Sequence, residues 1–138
     1  MVGKKKLPYL SDKAFFIKHG YEVCDACAPN IELLVKRFRQ DAPLPRFKAC
    51  ASAGLGDDVK GIDIFYTVQC PFTMPYIKLL EPVIQAASVP VRVHPITTRE
   101  MAREHRAPHT TYCVFVDGKF YTREVLTPAK LQKLLEKQ

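Results

Sequence analysis

The chain has 138 residues, 47% of them hydrophobic and 25% charged, with a net charge of +7. That composition fits a globular chain and excludes a disordered, collagenous or low-complexity one. Behind the basic Met1–Lys6 start no apolar stretch is long enough for a signal core or a membrane span, so a soluble, cytoplasmic chain is expected, with its five cysteines as thiols rather than staples.

The first fifty residues read as a small α+β segment. Ser11 is placed to cap a short helix that carries Ala14, Phe15 and Ile17, with His19 in its last turn and Gly20 ending it. Tyr21–Cys24 reads as a short strand and Ile31–Phe38 as a stronger one. Between them Cys24-Asp25-Ala26-Cys27 is a CxxC, but it leaves a strand and runs into Ala28-Pro29 instead of opening a long helix. Cys50 offers no second pair, so a loop with incidental cysteines is the plainer reading than a zinc half-site. Two strands and one helix bury little apolar surface. Phe15, Phe16, Leu33 and Val35 therefore need something to pack on: the rest of the chain, a second copy, or the remainder of a longer protein. Ala51–Lys60, with Gly54-Leu55-Gly56, reads as a linker, which divides the chain into 1–50, 51–60 and 61–138.

Beyond the linker, Ile62, Ile64, Phe65, Tyr66 and Val68 make a nearly continuous apolar run, as expected of a strand buried on both faces. Cys70 then falls at a helix N-cap with Pro71 at the first helical position, and Met74, Ile77, Leu80, Ile84 and Ala87 recur at helical spacing. A thiol there would face the amides of Phe72 and Thr73 and the positive end of the helix dipole, both of which favour thiolate. Thiols so placed titrate from about 3.5 to 7.5, against roughly 8.5 for a free cysteine.

Ser88–Pro95 supplies a second strand, ending near His94, and Thr97-x-x-Glu100 is a capping box opening a short basic helix through about His105. Pro108 breaks the chain before a third strand, Thr110–Val116, in which Cys113 reads as a small core residue. Asp117-Gly118 is a hairpin turn, Lys119–Val125 a fourth strand, and Thr127-Pro128 caps a last helix with Leu131, Leu134 and Leu135. His105-x-x-x-His109 with Cys113 has ligand-like spacing, yet Pro108 interrupts any shared helix face, and no metal site is expected.

This βαβ–α–ββα order, with Cys70-Pro71-Phe72-Thr73 at its first strand-to-helix junction, resembles the thioredoxin and glutaredoxin superfamily. More narrowly it resembles the YoaP-like domain found behind some GNAT acetyltransferases, through Cys70–Thr73 and the stretch Ala107-Pro108-His109-Thr110-Thr111-Tyr112 ahead of Cys113–Phe120. The resemblance implies a four-stranded mixed sheet with flanking helices. It also implies Cys70 as the reactive thiol, kept where such folds keep theirs, with a loop of Pro108, His109, Thr110 and Thr111 approaching it. The imidazolium of His109, or the hydroxyls of Thr110 and Thr111, would then steady a Cys70 thiolate.

The chain departs from the superfamily pattern twice. The slot of the cis-proline falls on Thr110, with Pro108 two residues early. Thr73 stands where a dithiol oxidoreductase has its second cysteine, so Cys70 is confined to mixed disulfides, thiol binding or a soft ligand, and Thr73 is left as a hydroxyl donor.

Ser11-Asp12-Lys13-x-Phe15-Phe16-x-x-x-Gly20-Tyr21-Glu22-Val23, followed by Ile31–Val35, resembles the last third of a GNAT acetyltransferase. That family's acetyl-CoA loop, Gln/Arg-x-x-Gly-x-Gly/Ala, is not matched: Ala51 stands ahead of Gly54 and Gly56, and no strand precedes it. No acetyl transfer is expected from this chain alone, and no cofactor. The basic residues are dispersed, so neither nucleic acid nor a membrane is expected as partner; Arg99, Arg103 and Arg106 suit a small anionic thiol, and the N-terminal segment suits a GNAT domain or a second copy. Two functions stay open: a monothiol thioredoxin-like module acting through Cys70, or a non-enzymatic binding or regulatory domain of a YoaP-type acetyltransferase.

Overall fold

The computed structural model describes residues 2–3, 12–28 and 30–138. The chain separates into two compact units, residues 1–54 and 55–138.

In the first unit, α1 (Lys13–Lys18) is capped by Asp12, whose Oδ1 accepts the Ala14 N–H at 3.1 Å; Ser11, expected as the cap, lies outside the described residues. β2 (Glu22–Cys27) pairs antiparallel with β3 (Ile31–Val35), which also pairs with β1 (Val2–Gly3), giving the order β1–β3–β2. The CxxC therefore lies inside β2 and not in a loop, which corrects the sequence reading. Asp25 explains the longer strand. Its Oδ2 accepts the Phe47 N–H and its Oδ1 the Ala26 N–H, each at 2.8 Å, and a bulge between Val23 and Asp25 absorbs the distortion. The Cys24 thiol points to the Leu33 carbonyl at 3.4 Å, while burial, with the Asp25 charge behind it, pushes the Cys27 thiol up. α2 (Ala49–Ala53) occupies the start of the stretch read as linker, with Ala51 buried. Among the described residues of this unit only Cys27, Ile31 and Ala51 are buried apolar residues.

The second unit runs β4 (Ile62–Tyr66), α3 (Thr73–Gln85), β5 (Val91–Pro95), α4 (Arg99–Glu104), β6 (Tyr112–Val116), β7 (Lys119–Thr122) and α5 (Pro128–Leu135). The sheet order is β5–β4–β6–β7, with β4 parallel to β5 and antiparallel to β6, so a mixed α/β unit with one four-stranded mixed sheet forms as expected. Asp117 and Gly118 turn the β6–β7 hairpin with φ of 47° and 71°, the left-handed pair of a type I′ turn. A side chain at 118 would also meet the Asp57 carbonyl oxygen at 2.5 Å.

Strand alternation decides what each face of this sheet buries. Ile62, Ile64 and Tyr66 of β4 join Tyr112 and Val114 of β6 under Ile77 and Leu80 of α3 and Leu131 and Leu134 of α5. Fully burying a side chain such as Ile64 or Leu80 stabilises by about 1.5–3 kcal/mol. The opposite face carries Asp63, Phe65, Cys113, Phe115 and Phe120, so β4 is covered on both faces as expected, with Asp63 as the polar residue in its run. The short α4 borders that face, with Ala107 buried against Cys113 and Phe115. Its cap is Thr98, whose Oγ1 accepts the Met101 N–H at 3.1 Å, one residue later than the expected Thr97. The cause is Ile96: its N–H donates to the Tyr66 carbonyl at 2.7 Å, keeping the chain on its strand path one residue longer. Among the described residues no helix is long and apolar enough to cross a membrane.

Candidate functional site

After Tyr66 the chain turns through residues 67–72 before α3 begins. Cys70 lies half-buried in that turn, three residues ahead of the helix and not at its cap. Pro75 has no N–H to give the Pro71 carbonyl, and Tyr76 N–H meets the Phe72 carbonyl at 3.4 Å. The Thr73 N–H goes to the carbonyl of Cys70 itself, at 3.1 Å, and is not turned to the sulfur. Pro71 and Phe72 are exposed at the surface of the turn, whereas Thr73 is buried with its hydroxyl oxygen unpartnered. Thr67, at the other end of the turn, has the same buried, unpartnered hydroxyl.

The loop before β6 is tied to this turn through its backbone, because the Thr67 N–H donates to the Thr111 carbonyl at 3.0 Å. Pro108 and Thr110 are half-buried and Thr111 is exposed. His109 takes a different environment from the one expected. Burial, followed by the positive charges of Arg123 and His105, holds its imidazole down to about 4, so it is neutral at pH 7 and no imidazolium. Its ring lies 6.5 Å from Phe120 of β7, and its Nε2 is buried without a partner.

Sequence reasoning passed over a second cluster, on the face under α4. Asp63 is 6% exposed and receives Arg92 in two bonds, Nε to Oδ1 and Nη2 to Oδ2, both 2.7 Å. His94 Nε2 meets the same Oδ1 at 2.7 Å. The parallel register sets Asp63 beside Arg92 and Phe65 beside His94, and the His94 ring stacks on Phe65 at 4.5 Å and 17°. Burial alone would raise the Asp63 carboxyl, but the bonds from Arg92 and His94 outweigh it and hold the group below the usual carboxylate range. The available signal was the period-two alternation of Val91-Arg92-Val93-His94 against Ile62-Asp63-Ile64-Phe65.

His105 Nε2 lies 3.1 Å from the Cys113 sulfur. Burial pushes that thiol up to about 12, so Cys113 stays protonated beside the imidazole. Of the three arginines expected to draw an anion, Arg106 is committed to Asp57, Nε to Oδ1 at 2.7 Å. Among the described residues no group of three or more His, Cys, Asp or Glu is placed to hold a metal ion. Between α4 and this sheet face lies a cavity of about 290 Å³. Gly56 is in its wall, where an added Cβ would sit 2.6 Å from the Phe115 ring.

Residues 90–133 match the YoaP-like family model. Over 135 residues the chain is 38% identical to an uncharacterized N-acetyltransferase, YoaP, of Bacillus subtilis (strain 168), an alignment that takes in 98% of this chain and 53% of that protein. The chain thus spans about half the length of the curated relative it matches. No solved structure matches it.

Proposed function

We propose, from the premise that the chain belongs over residues 90–133 to the YoaP-like family, that residues 55–138 are a thioredoxin-like, single-thiol module of a YoaP-type N-acetyltransferase with Cys70 as its working group. The observation that supports this best is the order of the sheet around that residue. Parallel β4 and β5 flank α3, the antiparallel β6–β7 hairpin follows α4, the strands lie as β5–β4–β6–β7, and Cys70 occupies the half-exposed turn where β4 gives way to α3.

In this reading the Cys70 sulfur, as thiolate, attacks a disulfide of a small thiol. One half of that disulfide bonds to Cys70 and the other leaves as thiolate; a second thiol later reverses the exchange, since Thr73 leaves the motif without a resolving cysteine. The Thr73 hydroxyl, buried and unpartnered three residues beyond the sulfur, is the donor this reading assigns to it. An unsatisfied buried hydroxyl costs about 1–3 kcal/mol, which a bond to the incoming sulfur would offset. Pro71 and Phe72 form the exposed rim, and the Pro108, His109, Thr110 and Thr111 loop forms the other wall. The order α1, β2, β3 and the name of the relative support reading the first unit as the closing segment of an acetyltransferase.

The test is to incubate the full chain with glutathione disulfide and map the adducts by mass spectrometry. The adduct is expected on Cys70, is lost in Cys70→Ser and forms several-fold more slowly in Thr73→Val. Glutathionylation confined to Cys24 or Cys50 would sink the reading. The Asp63–Arg92–His94 cluster favours a second one, a binding domain without thiol chemistry, in which Cys70→Ser is silent.

A further inference from the structure

We propose that the cavity between α4 and the Asp63 face of the sheet binds a small organic amine with an apolar body, at a site separate from Cys70. Its 290 Å³ lies near the lower end of small-molecule sites, which run from about 300 to 1,000 Å³. Phe65, Phe115, Ile96 and Met101 supply an apolar, largely aromatic lining for the body of such a ligand.

The polar groups in the lining select the head group. Arg106 is bound to Asp57 at 2.7 Å, and Arg92 behind the wall is spent on Asp63 and on the Lys60 carbonyl. His94 is fixed on both sides: its Nε2 faces the Asp63 carboxylate at 2.7 Å, and its ring stacks on Phe65. An ionised carboxylate accepts only, so Nε2 must carry the proton, and in the neutral ring Nδ1 is left as an acceptor. Glu104, also in the lining, adds a carboxylate that is unpaired among the described residues. Glu104 and His94 thus offer negative charge and an acceptor, with π faces beside them, while Arg106 and His105 are already engaged, on Asp57 and on the Cys113 sulfur. A protonated amine answers each feature: N–H donors for Glu104 and His94, and a cation for the rings of Phe65 and Phe115. A carboxylate-headed ligand of the same shape meets Glu104 as a like charge.

The test titrates the full-length, ¹⁵N-labelled chain with phenethylamine, and with 2-phenylethanol and phenylacetate as neutral and anionic matches. Phenethylamine is expected to give saturable shifts centred on Phe65, His94, Ile96 and Met101, with phenylacetate at least tenfold weaker and phenylethanol between. Glu104→Gln, a change at an exposed side chain, should weaken phenethylamine about five- to tenfold without moving the unfolding midpoint. Met101→Phe, which fills the cavity, should abolish binding. Cys70→Ser should change nothing, so failure of the thiol reading and failure of this one are distinguishable. The proposal is overturned if phenethylamine gives no saturable shift at these residues, if phenylacetate binds as well, or if Glu104→Gln binds the amine unchanged.

Discussion

On one side of the β5–β4–β6–β7 sheet, Ile62, Ile64, Val114 and Leu80 are sealed under two helices; on the other, Asp63, Phe65, Arg92 and His94 lie under the six-residue α4 with a cavity between. The same strands build both faces, and the residues differ only by their odd or even place along them. The first face is mostly aliphatic, and its Tyr112 hydroxyl accepts the Leu126 N–H at 3.3 Å. The second face is held by directional bonds to one buried carboxylate. A sealed aliphatic face can be judged by volume alone, whereas a polar face must be judged bond by bond, and the cavity under α4 opens on the polar one.

The largest expected effect belongs to the aliphatic face. Leu80→Ala, at a side chain with no exposure, should cost about 3–4 kcal/mol by urea unfolding. A loss under about 1 kcal/mol would mean that the face is loosely packed and would erase the contrast.

Next comes pH. Unfolded His109 titrates near 6.5, and in the fold its value is lowered to about 4. Between those values the unfolded chain holds a proton that the folded chain does not, so stability should fall as pH drops from about 6.5 to 4. The loss runs through that window, with no further loss from this group below it. Asp63 acts in the lower window: its folded value is depressed, so its stabilisation is complete above its ordinary value and is lost as pH falls through the folded one. Urea unfolding at pH 7.5, 5.5 and 4 should show the first loss in the wild type and not in His109→Phe; equal slopes would contradict the assignment.

Arg92→Met should cost about 2 kcal/mol, because Asp63 would keep only His94. Adding Asp63→Leu should restore much of that loss, since the double change leaves no buried charge. If the double variant is the less stable of the two, the carboxylate is not the liability described. The smallest effect is expected at Glu104→Gln, within about 0.5 kcal/mol of wild type in stability.

Much of the second unit was legible in the sequence because its punctuation is local. Asp117-Gly118 and Thr127-Pro128 turn and cap as read, the Lys130 N–H reaching Thr127 Oγ1 at 3.3 Å. The errors have local causes too. The Cys70 carbonyl takes the Thr73 N–H in a tighter turn ahead of α3, and a hydrogen bond from Ile96 to β4 delayed α4. The Asp63 cluster could not be read from any one segment. It is made by residues 29 to 31 positions apart, and only the parallel register of β4 and β5 brings them together. Likewise His109 looked like a loop cation until its burial was known.

The most direct test of the account compares the rate at which Cys70 exchanges with glutathione disulfide in the native chain and in the same chain unfolded in urea at equal pH. A fold that activates the sulfur predicts faster exchange at Cys70 in the native state, while Cys113, shut off and protonated, reacts only after unfolding. A native Cys70 that exchanges no faster than its unfolded counterpart would contradict the proposal of a working thiol.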